Sequence, residues 1–354
     1  MPDKFSELLT VLLVIRDRKE FTFRWLKYAY DFKLPFNLLI ADGGSNDAVD
    51  QYISDNNLRD RLKINYIKTE YDDTRSIYYR KIDNALRLID TKYVIFADDD
   101  DFFSIEALQE SLQFLEENSD YVSCGGSVIH FSVNEDRAHR KKVIFDREKD
   151  VEPYIDGKSI KRLKQYFLGG SGVYYNINKT SLVKIIWLKI TKNNFKNIRM
   201  PEVLMEGFLI SSGKVHFINK PTYFRQHGDG IGNTAGLSHD LMDEILMPSW
   251  SSEVNIVLAI LATNCEKDDE AKCKLLEFYK YFLIPPLING LDIDGDDKRN
   301  RKNRKLMFKK IFRNGKYGKL YFYLKNFISF LSRTTVNNYA HDSVKKIDVF
   351  LKKE

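Results

Sequence analysis

An α/β fold with a mainly parallel central sheet flanked by helices, followed by a helical C-terminal region, is predicted by three features of the sequence. Apolar runs of strand length alternate with amphipathic stretches through roughly the first hundred residues, the connections between them are short, and several runs end in polar clusters. In a parallel sheet with right-handed crossovers, those clusters come to the same edge, where ligands bind.

Leu8–Ile15 is a continuous apolar run suited to a strand covered on both faces, and it stops at Arg16-Asp17-Arg18. A helix follows from about Glu20 to Phe32. After Pro35, Phe36–Ala41 reads as the second strand and ends in Asp42-Gly43-Gly44-Ser45-Asn46-Asp47, where the glycines permit tight turning and Ser45 or Asn46 can cap a helix to about Tyr52. Leu62–Ile67 is the third strand, and Arg75–Ile89 the next helix. Tyr93-Val94-Ile95-Phe96-Ala97 then runs into Asp98-Asp99-Asp100-Asp101.

Four carboxylates at one strand end repel each other and are normally tolerated where water or a cation neutralises them. Strand alternation predicts that Asp98 and Asp100 share one side, as hard oxygen ligands for Mg²⁺ or Mn²⁺, while Asp99 and Asp101 face elsewhere. The alternative is a solvated acidic turn capping the helix that Ser104 begins. That helix extends to Glu117, and Tyr121–Phe131 reads as a strand with Gly125-Gly126 inside it. Asn134–Ser159 is charged and reads as an insertion around the strand Lys142–Phe145. Leu168–Tyr175 is a glycine-rich turn entering a short strand. Pro201 opens a helix that Gly213 ends, and Val215–Ile218 and Thr222–Arg225 read as strands. Beyond about Ser238 the candidates are helices: Met242–Ala262, Glu266–Phe282, Arg301–Phe312, Lys319–Leu331 and Ser343–Lys352.

The chain has 354 residues, 43% hydrophobic and 30% charged, which suits a globular protein of about two domains. Its apolar runs fall short of the roughly 20 residues that span a bilayer, and no basic-then-apolar leader opens it, so a cytoplasmic protein is expected. Cys124, Cys265 and Cys273 have neither CxxC nor disulfide-framework spacing and read as free thiols. The net charge is +6, and Lys298–Lys319 is rich in Lys and Arg with no acid. Such a face suits anionic headgroups or a phosphate-bearing acceptor, or is simply a solvated helix face.

Taken together, Asp42–Asp47, the Asp98–Asp101 strand end and the Gly213–His227 segment resemble the family 2 glycosyltransferases of GT-A fold, over roughly residues 8–230. Gly44-Ser45-Asn46-Asp47 matches the end of the family's Asp-Asp-Gly-Ser-Thr-Asp turn. Asp42 falls on its base-contacting aspartate, and Gly43 departs from its second. The resemblance implies nucleotide-sugar contacts from Arg16, Asp42, Gly44, Ser45, Lys81, Asp98, Asp99 and Gly170. It also implies a divalent metal, Mn or Mg, on Asp98, Asp100 and His227. Aligned back from Gly213-Lys214, Glu202 takes the place of the catalytic base, and Glu206, one turn later, is the second candidate.

The implied activity is metal-dependent inverting transfer from a nucleotide sugar, a UDP-sugar by preference, to a hydroxyl of a glycan or lipid-linked acceptor in surface polysaccharide synthesis. The domains expected are 1–237 for the transferase and 238–354 for a basic helical region making acceptor, membrane-surface or homo-oligomer contacts, peripherally at the inner face of the plasma membrane. Nucleic acid is not an expected partner. Three other readings compete. A phosphohydrolase with an Asp-x-Asp pair would carry it after the first strand with Thr or Val two residues beyond, where Phe102 stands here. A nucleotidyltransferase would open with a glycine-rich phosphate loop, which Arg16-Asp17-Arg18 is not. A non-catalytic glycan-binding scaffold would show nucleotide binding that is absent or independent of metal.

Overall fold

The four apolar runs form β1 (Leu9–Ile15), β2 (Asn37–Asp42), β3 (Lys63–Lys68) and β4 (Tyr93–Ala97), which pair in parallel in the order β3-β2-β1-β4. The computed structural model describes residues 7–135, 141–149, 151–227, 248–265, 274–279 and 342–353, with backbone alone at 134–135, 146–149 and 227. Between these strands run α1 (Lys19–Asp31), α2 (Ala48–Asp55) and α3 (Arg75–Arg87). Burial explains the continuous apolar runs. Along β1, Leu9, Val11, Leu13 and Ile15 enter one core while Leu12 enters the other, so both faces of the strand are covered.

Past β4 the sheet becomes mixed. The short β5 (Phe102–Phe103) leads into α4 (Ile105–Glu117), whose Ser104 cap accepts the Ala107 N–H. Then come β6 (Tyr121–Glu135), β7 (Lys141–Lys149), α5 (Ser159–Phe167), β8 (Ile177–Lys179), α6 (Thr180–Asn193), α7 (Arg199–Ser212) and β9 (Lys214–His227). The full order is β3-β2-β1-β4-β8-β6-β9-β5, with β7 on β6. β6 pairs antiparallel with β7 and β8 and parallel with β9.

Three elements differ from the sequence expectation. The stretch Asn134–Ser159 does hold the expected strand Lys142–Phe145, within β7, but that strand pairs with β6 as part of the sheet and does not stand apart as an insertion. No helix was expected between Tyr175 and Pro201, yet α6 forms there. Its apolar residues run nearly all round, leaving Ile185 47% and Leu188 37% exposed, so the sequence shows no clean amphipathic stripe. The two strands expected after Gly213 are one strand, β9, continuing through Pro221. Proline cannot donate to the ladder, and the β6–β9 register shifts between Gly125 and Ser127 opposite it, where the Gly126 N–H turns to Thr222 Oγ1 at 2.9 Å.

Two later helices pack onto this frame. α8 (Trp250–Asn264) lies on α7 through Val254, Val257, Leu258 and Leu261, and its Glu253 accepts the Lys196 and Asn197 N–H groups at 2.8 and 3.0 Å. α9 (Asp342–Lys353) returns to the opposite core, burying Val344, Ile347, Phe350 and Leu351. Phe350 sits edge-on to Tyr28 and Phe102, with ring centres 5.8 Å from each. Residues 274–279 are helical, while the expected helices Arg301–Phe312 and Lys319–Leu331, and the basic stretch Lys298–Lys319, lie outside the described residues. Cys124 and Cys265 are buried, and Cys273 lies outside the described residues. Among the described residues, no helix is long and apolar enough to cross a membrane.

Candidate active site

The carboxyl ends of β1, β2, β3 and β4 meet at one edge, and the aspartate run occupies its centre. The chain turns directly after Ala97, with the Asp101 N–H donating to the Asp98 carbonyl at 3.3 Å, so strand alternation stops there. The expectation that Asp101 faces elsewhere is therefore corrected: oxygens of Asp98, Asp100 and Asp101 lie within 4.8 Å of one another. Asp99 does face away. It pairs with Arg18 at 2.7 Å and accepts from Thr22 Oγ1 at 3.1 Å. The same Arg18 guanidinium lies 2.9 Å from Asp100 Oδ2. Arg24 donates to the Asp100 carbonyl and to Gln226 Oε1.

The cluster fits a hard divalent cation by its donors: carboxylate oxygens gathered at a strand end, with the Arg18 charge on one flank. Asp101 has both oxygens engaged, by the Gln226 N–H and the Tyr223 hydroxyl. Among the described residues Asp98 accepts one hydrogen bond, from Tyr175 at 2.5 Å, which leaves it and Asp100 the better placed to ligate. Burial, with repulsion from Asp100 and Asp98, pushes Asp101 well up. Burial also raises Asp99 to about 7, although Arg18 opposes the shift. His227 ends the backbone of β9, and its side chain lies outside the described residues.

At the end of β2, Asp42 is buried. Its Oδ1 accepts the Gly44 N–H at 2.7 Å, and its Oδ2 faces the Tyr66 hydroxyl at 2.7 Å and Lys68 Nζ at 3.4 Å. Ser45 donates both its N–H and its hydroxyl to Asp17 Oδ1, tying the β1 and β2 ends together. The departure at Gly43 has a steric cause. A Cβ there would lie 2.4 Å from the Asp72 carboxyl carbon, so Asp72 fills the space that a side chain at 43 would need.

Asp72 organises this corner. Its Oδ2 pairs with Lys81 Nζ, its carbonyl accepts from Arg16 at 2.6 Å, and its N–H donates to the Gly43 carbonyl at 3.0 Å. Lys81 also donates to the Ile15 carbonyl at 2.9 Å and lies 5.4 Å from the centre of the Tyr78 ring, so its described contacts are all with the protein itself. Burial lowers the Lys81 pKa while Asp72 counters it. Both side chains of this pair are almost completely buried. Lys81→Met should therefore destabilise the protein by about 3–5 kcal/mol, because it strands a buried carboxylate. Adding Asp72→Asn should restore most of the loss, and urea unfolding of the single and double variants reads both.

The far wall comes from α7 and the turn before β8. Glu202 lies exposed on the first turn of α7, with neighbouring protein still close enough to desolvate its carboxyl in part. Lost hydration raises it to about 7, Glu206 adds repulsion, and Arg225, Arg199 and Asp98 also act on it, the arginines lowering and the aspartate raising. Glu206 is engaged on both oxygens, accepting the Val173 and Tyr174 N–H groups at 2.8 and 3.0 Å and the Tyr166 hydroxyl at 2.6 Å. Gly170 closes α5, its N–H on the Gln165 and Tyr166 carbonyls, and a Cβ there would lie 2.3 Å from the Tyr154 hydroxyl.

The structure thus brings Asp98 and Asp100 together with Asp101, with Asp99 turned to Arg18 and Thr22 and with Asp42, Gly44, Ser45 and Arg16 on the neighbouring strand ends. Four further residues were not read from the sequence: Arg18, Asp72, Tyr175 and Tyr223. For Arg18 and Asp72 a signal existed, since each is charged and sits just past a strand end. For the tyrosines none did, because their turn and strand meet the cluster only in three dimensions.

Residues 22–185 match the family model described as Glycosyl transferase family 2. No curated protein sequence matches the chain. Among solved structures, that of S. aureus TarS 1–349 has a TM-score of 0.49 at 14% identity, covering 84% of this chain and 77% of that one. The complex of the same TarS fragment with UDP-GlcNAc gives 0.48 at 12% identity, covering 84% and 78%. For S. aureus TarS the values are 0.48, 13%, 84% and 47%, so this chain spans about half of that one.

Proposed function

From the premise that the chain carries a glycosyl transferase family 2 domain and is a glycosyltransferase, we propose that it transfers a sugar, with inversion and with the help of a divalent cation, from a UDP-sugar to a hydroxyl acceptor. The acceptor is a glycan or lipid-linked glycan in surface polysaccharide synthesis. The observation that carries the reading is the gathering of the Asp98, Asp100 and Asp101 carboxylates at the β4 end, on the sheet edge where the β1 and β2 ends also lie.

In this reading Asp42, Gly44, Ser45 and Arg16 line the nucleotide's place along β1 and β2. Asp98 and Asp100 would hold the cation, with His227, whose side chain lies outside the described residues, as the further ligand that the resemblance implies. A bound Mn²⁺ or Mg²⁺ would offset charge on the departing nucleoside diphosphate. Glu202 takes the proton of the acceptor hydroxyl as its oxygen attacks the anomeric carbon from the face opposite the nucleotide. The new C–O bond forms as the bond to the diphosphate breaks, and the diphosphate leaves with that electron pair. Glu206 and Gly170 shape the turn beside the sugar. The basic stretch Lys298–Lys319 supports an anionic acceptor or a membrane-surface contact.

Thermal unfolding with UDP, GDP, CDP and their sugar conjugates, in Mn²⁺, Mg²⁺ or EDTA, tests the reading. UDP or a UDP-sugar near 100 times its dissociation constant should stabilise the fold by roughly 2.7 kcal/mol. That gain should vanish in EDTA. A folded protein that gains nothing from any nucleotide would return the choice to the scaffold or another enzyme class.

A further inference from the structure

Tyr175 and Tyr223 come from different parts of the fold and meet at the aspartate cluster. Tyr175 lies in the turn before β8, Tyr223 in β9, and their rings stack with centres 4.2 Å apart and planes 15° from parallel. Each hydroxyl points at a different carboxylate: Tyr175 donates to Asp98 Oδ2 at 2.5 Å, and Tyr223 donates to Asp101 Oδ2. Two phenols side by side thus grip two acids of one cluster.

Packing alone does not account for this arrangement. Phenylalanine would fill the same space and stack equally well, and a buried hydroxyl costs free energy unless it has a partner. The partners here are ionisable oxygens that repel one another across a few ångströms. The two hydroxyls hold those oxygens against that repulsion. The backbone carrying Tyr175 is itself fixed one residue earlier, where Glu206 accepts the Val173 and Tyr174 N–H groups. Tyr223 is fixed within β9, with Phe224 paired to Phe102 of β5 and the next residue but two, Gln226, donating its N–H to Asp101.

We propose that the stacked Tyr175–Tyr223 pair positions the Asp98 and Asp101 carboxylates so that the cluster presents a preset oxygen cage to a divalent cation. The inference rests on the metal-dependent reading above and concerns positioning residues, since neither phenol is assigned to the cation or the substrate. Partners that orient ligand groups in this way typically control affinity by about 10- to 100-fold when removed.

The test is Mn²⁺ titration of the full chain without nucleotide, followed by the electron paramagnetic resonance signal of free Mn²⁺. Wild type, Tyr175→Phe, Tyr223→Phe and the double variant are compared, with circular dichroism and melting as checks of the fold. Each single variant should bind Mn²⁺ about 10- to 100-fold more weakly while remaining folded. The double variant should depart from the product of the two, because both hydroxyls act on one carboxylate cluster. Tyr175, only half-buried, is the variant that keeps the test decisive if Tyr223→Phe loses its fold. Folded Tyr175→Phe that binds within twofold of wild type would overturn the proposal and leave the metal reading standing. Wild type that binds no Mn²⁺ would overturn both.

Discussion

Asp100→Asn should lower turnover with saturating Mn²⁺ by at least about 100-fold and leave the fold as stable as before, or more so. The lower bound follows from groups one step removed from a metal. Outer partners cost 10- to 100-fold, so a ligand should cost no less. The stability half follows from the electrostatics of the cluster. Asp100 raises the pKa of both Asp99 and Asp101, which means that its charge repels theirs in a desolvated setting. Asparagine keeps the size and removes that repulsion, while Arg18 keeps Asp99 as a partner at 2.7 Å. An activity loss without a stability loss separates a functional carboxylate from a structural one. Steady-state assays alongside calorimetric melting make the comparison, and turnover within about threefold of wild type would remove Asp100 from the site.

The course of the sheet was legible because β1, β2 and β4 are covered on both faces and so appear as unbroken apolar runs with polar stops. Those stops were legible as a site for the same reason: parallel topology takes every run to the same edge. What escaped was set by contacts with no local pattern. α6 buries one side against α3 and α7 but leaves Ile185 and Leu188 exposed, so its periodicity is blurred. Asp101 was assigned to the wrong side because a strand's alternation was extended through residues where the chain already turns. Gly43 was read as a glycine that permits a tight turn and as a departure from a motif. Its meaning lies with Asp72, which follows a different strand and fills the space a side chain at 43 would take. The two glutamates of α7 stand one helical turn apart, and only the alignment back from Gly213-Lys214 ranked Glu202 first. Three hydrogen bonds onto Glu206 distinguish them, and the donors come from Tyr166, Val173 and Tyr174, all far back in the chain.

That difference makes Glu202→Gln the second large expected effect. Loss of a positioned general base typically costs 10²–10⁴-fold, so kcat should fall by about that factor while the metal-dependent nucleotide stabilisation persists. The amide keeps the shape and cannot accept the proton. The pH dependence carries its own sign. A base works when deprotonated, so activity of the wild type should rise with pH through a midpoint near the raised pKa of Glu202, about 7. The groups acting on that carboxyl are Glu206 and Asp98, which raise it, and Arg225 and Arg199, which lower it. Removing the Arg225 charge would therefore move the midpoint upward. In Glu202→Gln the residual rate should lose this ascending limb, since the group that titrates is gone. A variant that retained both wild-type kcat and the limb would show that another group accepts the proton.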